Sequence, residues 1–265
     1  MRYAYFPGCQ IYSRLNNYDL AVRNVAKTLG VDLVDMEKAN CCGPVHVRSL
    51  NFKTWLAMAT RILAIAERME LDIVTTCNNC FSTLTEVSKL LKDSPQLMME
   101  INGLIEYEGL KYQGRVDVKH FAQVLYRDYG IENIRKMIKK SFGGLKAAVQ
   151  YGCHSLRPNK VLLFDHSERP RILDELVTVL GIKSIYWPKK LWCCGAPILV
   201  TNEELSLKLA RVKLNDAKSC GANCLVTMCP FCEIQLELQQ IRLENDYNES
   251  YNLPVLLYPQ LLGLT

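Results

Sequence analysis

The tripeptide Cys-Cys-Gly stands at residues 41–43 and again at 193–195, an offset of 152. The Cys-x-x-Cys motifs at 77–80 and 229–232 repeat at the same offset, and Cys9 answers Cys153 at an offset of 144. Each half therefore runs Cys, then Cys-Cys-Gly, then Cys-x-x-Cys. A chain so duplicated has to fold as two versions of one structure. The residues between the cysteines agree. Val22, Val25, Ala26 and Leu29 recur at i, i+3, i+4, i+7, and Leu173, Leu176, Val177 and Leu180 repeat the pattern, each set marking a buried helical stripe. Leu-Gly and a short apolar segment follow each stripe, "VDLVDM" at 31–36 and "IKSIYW" at 182–187.

Beyond each Cys-Cys-Gly an amphipathic helix is expected, with Trp55, Ala59, Ile62 and Ala66 facing inward in the first half and Leu205, Leu209 and Val212 in the second. A strand then leads into the Cys-x-x-Cys, "LDIVTTC" or "NCLVTMC", and a further helix starts there. Strands alternating with helices predict an α/β fold: two pseudo-twofold-related βαβ-type repeats with mostly parallel sheets. The cysteines then fall at the carboxyl ends of strands, where such sheets place their sites and where helix N-termini favour anionic groups. The repeats are taken as 1–143 and 144–265. Residues 94–114 read as irregular and linker-like, while 116–126 and 253–263 read as a last strand and helix closing each half.

Twelve cysteines in 265 residues are more than packing calls for, yet a chain of this length needs no staples. The N-terminus "MRYAYFPGCQ" lacks the apolar stretch of a signal peptide, and no apolar run approaches the roughly 20 residues that span a bilayer. A cytoplasmic protein is expected, with any membrane association made through partners, and clustered cysteines there signal metal or redox chemistry. Net charge is +5. The densest basic run, "IRKMIKKS" at 134–141, reads as the solvated face of a helix, so no nucleic-acid partner is implied. Neither a Rossmann glycine fingerprint nor a P-loop is present; "SFGGLKAA" leads into a strand, the wrong context.

Thiolates suit zinc and iron–sulfur centres, and four complete either a structural zinc site or a cubane cluster. Five per half, two of them adjacent, fit a larger cluster better, because neighbouring side chains point apart and reach different metal atoms. The glycine after each pair removes a side chain where backbone passes close to something bulky. The candidate ligands are Cys9, Cys41, Cys42, Cys77, Cys80, Cys153, Cys193, Cys194, Cys229 and Cys232. Cys220 and Cys224 fall outside the repeat, their counterparts being Arg68 and Asp72, and read as ordinary buried thiols. His154 follows a candidate ligand and is the candidate catalytic residue, able to give a proton to a departing sulfur; its counterpart is Gln10. Arg157 reads as a helix-start ion pair rather than an anion contact, and His46 and His120 as ordinary polar residues.

The duplicated Cys…Cys-Cys-Gly…Cys-x-x-Cys, with "YFPGC", "CHSLRP", "CPFC" and "PVLLYPQLLGL", resembles the CCG (cysteine-rich) domain of the B-type subunits of heterodisulfide reductase over nearly the whole chain. The resemblance implies two noncubane [4Fe-4S] clusters facing each other where a disulfide is cleaved. Cys9, Cys41, Cys42, Cys77 and Cys80 would hold one; Cys153, Cys193, Cys194, Cys229 and Cys232 would hold the other. It further implies an oxidoreductase acting on sulfur groups, with a disulfide or thiol substrate. The chain would be the catalytic subunit of a hetero-oligomer, with a small iron–sulfur electron-transfer partner resembling the C-type subunits of heterodisulfide reductase and a flavoprotein beyond it. Two other readings stay open: an electron-transfer subunit of a succinate- or lactate-type oxidoreductase, and an interaction module with zinc in one four-cysteine subset. A disulfide-stabilised protein is disfavoured.

Overall fold

The computed structural model describes all 265 residues. Its first sheet holds β1 (Arg2–Tyr5), β2 (Asp32–Asp35), β3 (Ile73–Thr75) and β4 (Val118–His120) in the order β2-β1-β3-β4. The second holds β5 (Lys146–Gln150), β6 (Lys183–Ile185), β7 (Cys224–Thr227) and β8 (Val255–Leu257) in the matching order β6-β5-β7-β8. Every strand pair is parallel, so the fold is the expected α/β duplication. Helices cover the faces of such sheets, which is why Ala4, Tyr5, Ala147, Ala148 and Val149 are fully buried along the inner strands β1 and β5.

The predicted stripes on helices Asn16–Thr28, Phe52–Met69 and Ile172–Val179 face the core. On helix Glu203–Ser219 the expected face is the wrong one. Leu205 and Val212 are 46% and 41% exposed, whereas Ser206, Leu207, Ala210, Lys213, Leu214 and Ala217 are buried. Both stripes satisfy a 3.6-residue period. The polar Ser206 and Lys213 disguise the inner one, and they are buried because they bond the Cys-Cys-Gly loop. Residues 94–114 are not irregular either: Pro95–Ile105 is a helix, capped by the Ser94 hydroxyl accepting from the Leu97 amide at 3.3 Å. Ser followed by Pro at the first helical position starts a helix here rather than breaking one. In the basic run the helix ends at Met137, and the Lys139 and Lys140 amides instead bond the Thr265 carbonyl.

The halves are welded together. One buried cluster contains Tyr3, Tyr18, Val22 and Val25 of the first half with Val149, Leu176, Tyr258 and Leu261 of the second. The closing helix of each half packs on the other: Tyr258–Gly263 lies on Asn16–Thr28, and Ile131–Met137 lies on Ile172–Val179. Burial of Leu261 and Leu262 alone contributes roughly 1.5–3 kcal/mol each to that junction. No helix is long and apolar enough to cross a membrane.

Candidate iron–sulfur centre

Each Cys-x-x-Cys is delivered by the same turn. The Thr75 hydroxyl accepts from the Cys77 amide at 3.3 Å and the Thr227 hydroxyl accepts from the Cys229 amide at 3.2 Å. These bonds curl the chain out of β3 and β7 into helices whose N-caps are Cys77 and Cys229. Cys9 and Cys153 open short helices just beyond β1 and β5, after Gly8 and Gly152. Cys41–Cys42 and Cys193–Cys194 lie in the loops after β2 and β6. All ten therefore collect at the carboxyl edges of the two sheets.

Within each half the sulfurs lie close together. In the first half Cys9 Sγ lies 3.9 Å from Cys41 Sγ, and Cys42 Sγ lies 3.4 Å from Cys80 Sγ. In the second, Cys194 Sγ lies 3.5 Å from Cys232 Sγ, the counterpart of the Cys42–Cys80 contact. The segments that carry Cys77 and Cys229 meet at the junction, where the Tyr18 hydroxyl bonds the carbonyls of the residues before them. None of the ten is in a disulfide. Separations of 3.4–3.9 Å far exceed the roughly 2.05 Å of an S–S bond.

Neighbouring thiols push one another in opposite directions. The Cys41 thiol is held far below its usual range by contacts from Cys42 and then Cys9, and Cys193 likewise by Cys153 and then Cys194. Cys77 is lowered by Cys229, then Cys80, and by backbone amides at its helix N-terminus. Cys9 and Cys153 are pushed up, first by Cys41 and Cys193 respectively and then by burial.

The glycines that matter to the sulfurs precede the first cysteine. A Cβ on Gly8 would sit 2.7 Å from Cys80 Sγ, and one on Gly152 would sit 3.3 Å from Cys232 Sγ and 2.5 Å from Asn78 Nδ2. The glycines after the paired cysteines instead make room for the helix behind: a Cβ on Gly43 would lie 3.1 Å from Trp55, and one on Gly195 2.6 Å from the Ser206 carbonyl. Tyr18 fixes the junction, its buried hydroxyl bonding the carbonyls of Thr76 (3.3 Å) and Met228 (3.1 Å), the residues before Cys77 and Cys229. Asn78 reaches across to donate to the Tyr151 carbonyl at 2.6 Å.

The surroundings are not symmetric. A cavity of about 230 Å³ is lined by Cys153, Cys194, Cys229 and Cys232, and by Gln10, His46, Asn78 and Asn79 of the first half, but by no first-half cysteine. His154 lies on its wall, directly after Cys153. His46, an ordinary polar residue by sequence, also lines it and bonds the Pro197 carbonyl, tying the two Cys-Cys-Gly loops together. Its place three residues after Gly43 is the one sequence hint of this. His120 is structural: its ring caps a helix, accepting from the Ala122 amide at 3.2 Å, and burial lowers its pKa to about 3. Arg157 makes no ion pair; it is exposed beside a separate cleft with Arg48 and Glu86. Cys224 is buried where β7 begins and Cys220 is exposed, both outside the set of ten.

Known proteins share this layout. Residues 3–85 and 147–237 each match the cysteine-rich domain family, CCG. Over 262 residues, 98% of this chain and 87% of the relative, it is 35% identical to the B-type subunit of the ferredoxin/F420H2-dependent CoB-CoM heterodisulfide reductase of Methanosarcina acetivorans. It is 33% identical to the 8-methylmenaquinol:fumarate reductase membrane anchor subunit of Wolinella succinogenes over 99% of this chain and 91% of that one. The crystal structure of a hypothetical protein from Helicobacter pylori shares the fold, with a TM-score of 0.79 at 14% identity, over 99% of this chain and 48% of that chain. With two full cysteine repeats and these relatives along its whole length, the chain belongs to the cysteine-rich CCG family, which includes the B-type subunits of heterodisulfide reductase and related iron–sulfur proteins.

Proposed function

We propose that the repeats 1–143 and 144–265 each hold one noncubane [4Fe-4S] cluster through the five cysteines named above. The chain would then be the catalytic iron–sulfur subunit of a heterodisulfide-reductase-like complex that cleaves or forms a disulfide or handles sulfane sulfur. One observation carries this reading: ten unbridged thiols gathered in two matching sets of five at the carboxyl edges of the two sheets, with equivalent contacts of 3.4 Å between Cys42 and Cys80 and 3.5 Å between Cys194 and Cys232. A structural zinc site uses four donors; this arrangement supplies five twice. When bound, the clusters supply one electron each and iron to take up a sulfur. The chain's own residues do the rest. Gly8 and Gly152 let backbone lie against the sulfurs, and Gln150 donates to Cys232 Sγ at 3.6 Å while Asn79 donates to Cys42 Sγ at 3.7 Å. The cavity beside Cys194 and Cys232 receives the sulfur compound, with His154 on its wall holding the proton for a departing thiolate. Electrons come from an iron–sulfur partner protein and a flavoprotein beyond it, in the cytoplasm or at a membrane surface reached through those partners.

A second reading, an electron-transfer subunit of a succinate- or lactate-type oxidoreductase, is favoured by the fumarate reductase relative and by a 25% identical probable glycolate oxidase iron–sulfur subunit of Bacillus subtilis, of which the chain covers 49%. Paramagnetic resonance of the anaerobic protein, oxidised with and without added thiols, separates the two. Sulfur chemistry predicts a thiol-dependent signal that Cys194→Ala removes, and His154→Gln slows disulfide reduction about a hundredfold at unchanged iron content. A spectrum indifferent to every thiol overturns it in favour of relay.

A further inference from the structure

Lys213 is fully buried, yet it has no carboxylate partner. Asp216, the acid that bears on it, uses its Oδ2 to accept from the Lys189 amide at 2.8 Å. A buried charge is costly unless something compensates it. Two of the three ammonium donors are accounted for: Lys213 Nζ bonds the carbonyls of Lys189 and of Trp192, the latter at 3.1 Å and immediately before Cys193. The Trp187 ring lies 4.5 Å away on another side. The loop it holds is the one that carries Cys193 and Cys194, which follow Trp192 directly.

The repeat shows what is unusual here. At the offset of 152 the counterpart is Arg61, which bonds the loop before Cys41 in the same way, through the Lys38 carbonyl at 2.7 Å and Asn40 Oδ1 at 2.9 Å. Arg61, however, is paired with Glu108, its Nε and second terminal nitrogen both on the carboxylate at 2.6–2.8 Å. Both halves thus use a cation from the same helix position to shape the Cys-Cys-Gly loop. Only in the second is that cation fully buried without a carboxylate ion pair.

We propose that Lys213 is the internal counter-charge of the second centre, a positioning residue that makes that centre the easier of the two to reduce. The inference rests on the two-cluster reading above. Net charge near a cluster is one of the levers on its potential, and here it differs between two otherwise matching ligand sets. Electrons entering the chain therefore settle first on the half that borders the cavity.

The test is a redox titration of the full-length, anaerobically reconstituted chain followed by paramagnetic resonance, with Cys42→Ala and Cys194→Ala assigning the two signals. Lys213→Gln keeps a hydrogen-bond donor for the loop carbonyls and removes the charge. It should shift the second centre's reduction equilibrium about tenfold toward the oxidised form, about 59 mV for one electron, leaving the first unmoved. Lys213→Arg should preserve the difference. Glu108→Gln, which leaves the second loop untouched and frees the charge of Arg61, should narrow the difference, and it carries the test if Lys213→Gln fails to assemble. Two loaded centres whose difference survives both Lys213→Gln and Glu108→Gln would overturn the inference alone. A chain that takes up no iron and sulfide would overturn the cluster reading and this inference with it.

Discussion

The two halves hold their cysteines in the same order and on the same turns, but they do not offer them to the same surroundings. The first half exposes Cys9 and contributes no sulfur to the cavity; the second keeps Cys153 half-buried and turns four sulfurs toward it. The cation behind the first loop is paired with Glu108, and that behind the second has no carboxylate ion pair. The duplication therefore repeats the placement of five cysteines, and the differences lie in what surrounds them.

The largest effect should come from breaking one half at a time. Cys42→Ala and Cys194→Ala should each remove about half of the bound iron and acid-labile sulfide, since each half supplies its own five of the ten thiols. Colorimetric iron and sulfide assays on purified anaerobic protein would show it. Loss of both halves' iron from either variant would mean that the sites are one unit joined through Cys77 and Cys229. Next come the backbone approaches. Gly8→Ala and Gly152→Ala place a Cβ against a sulfur at a residue with φ of +86° or +76°, and each should cost about 1–3 kcal/mol in denaturant unfolding. Gly152→Ala should cost more, because it also overlaps Asn78.

Smaller again is Tyr18→Phe. It strips the hydroxyl from two buried carbonyls at the junction and should lower stability by about 1–2 kcal/mol. Because Tyr18 serves both halves, the unfolding transition should stay single; separation into two transitions would show that the halves are less welded than the shared core implies. The smallest effect belongs to Cys220→Ser, outside the repeat and exposed, which should change stability by less than about 0.5 kcal/mol and leave iron content alone.

Much of this is legible in the chain. Apolar periodicity and the apolar segment before each Cys-x-x-Cys predict β3, β7 and their helices, and duplication turns a single weak motif into a strong one. What sequence hides is tertiary in origin. Ser206 and Lys213 look like solvent residues until the loop they bond is in view, so periodicity alone assigns the inward face of their helix to the wrong stripe. His46 carries no strong local signal, because its partner, Pro197, is 151 residues away. Asn78 owes its role to Gly152 and Tyr151, both more than 70 residues on. The Pro95–Ile105 helix is hidden for a local reason: a Ser-Pro start looks like a break.

The most direct test of the account is the metal and sulfide content of the full chain, purified without oxygen. Two five-cysteine centres predict about eight irons with matching acid-labile sulfide per chain. Zinc in place of iron, with no sulfide released on acidification, would contradict it.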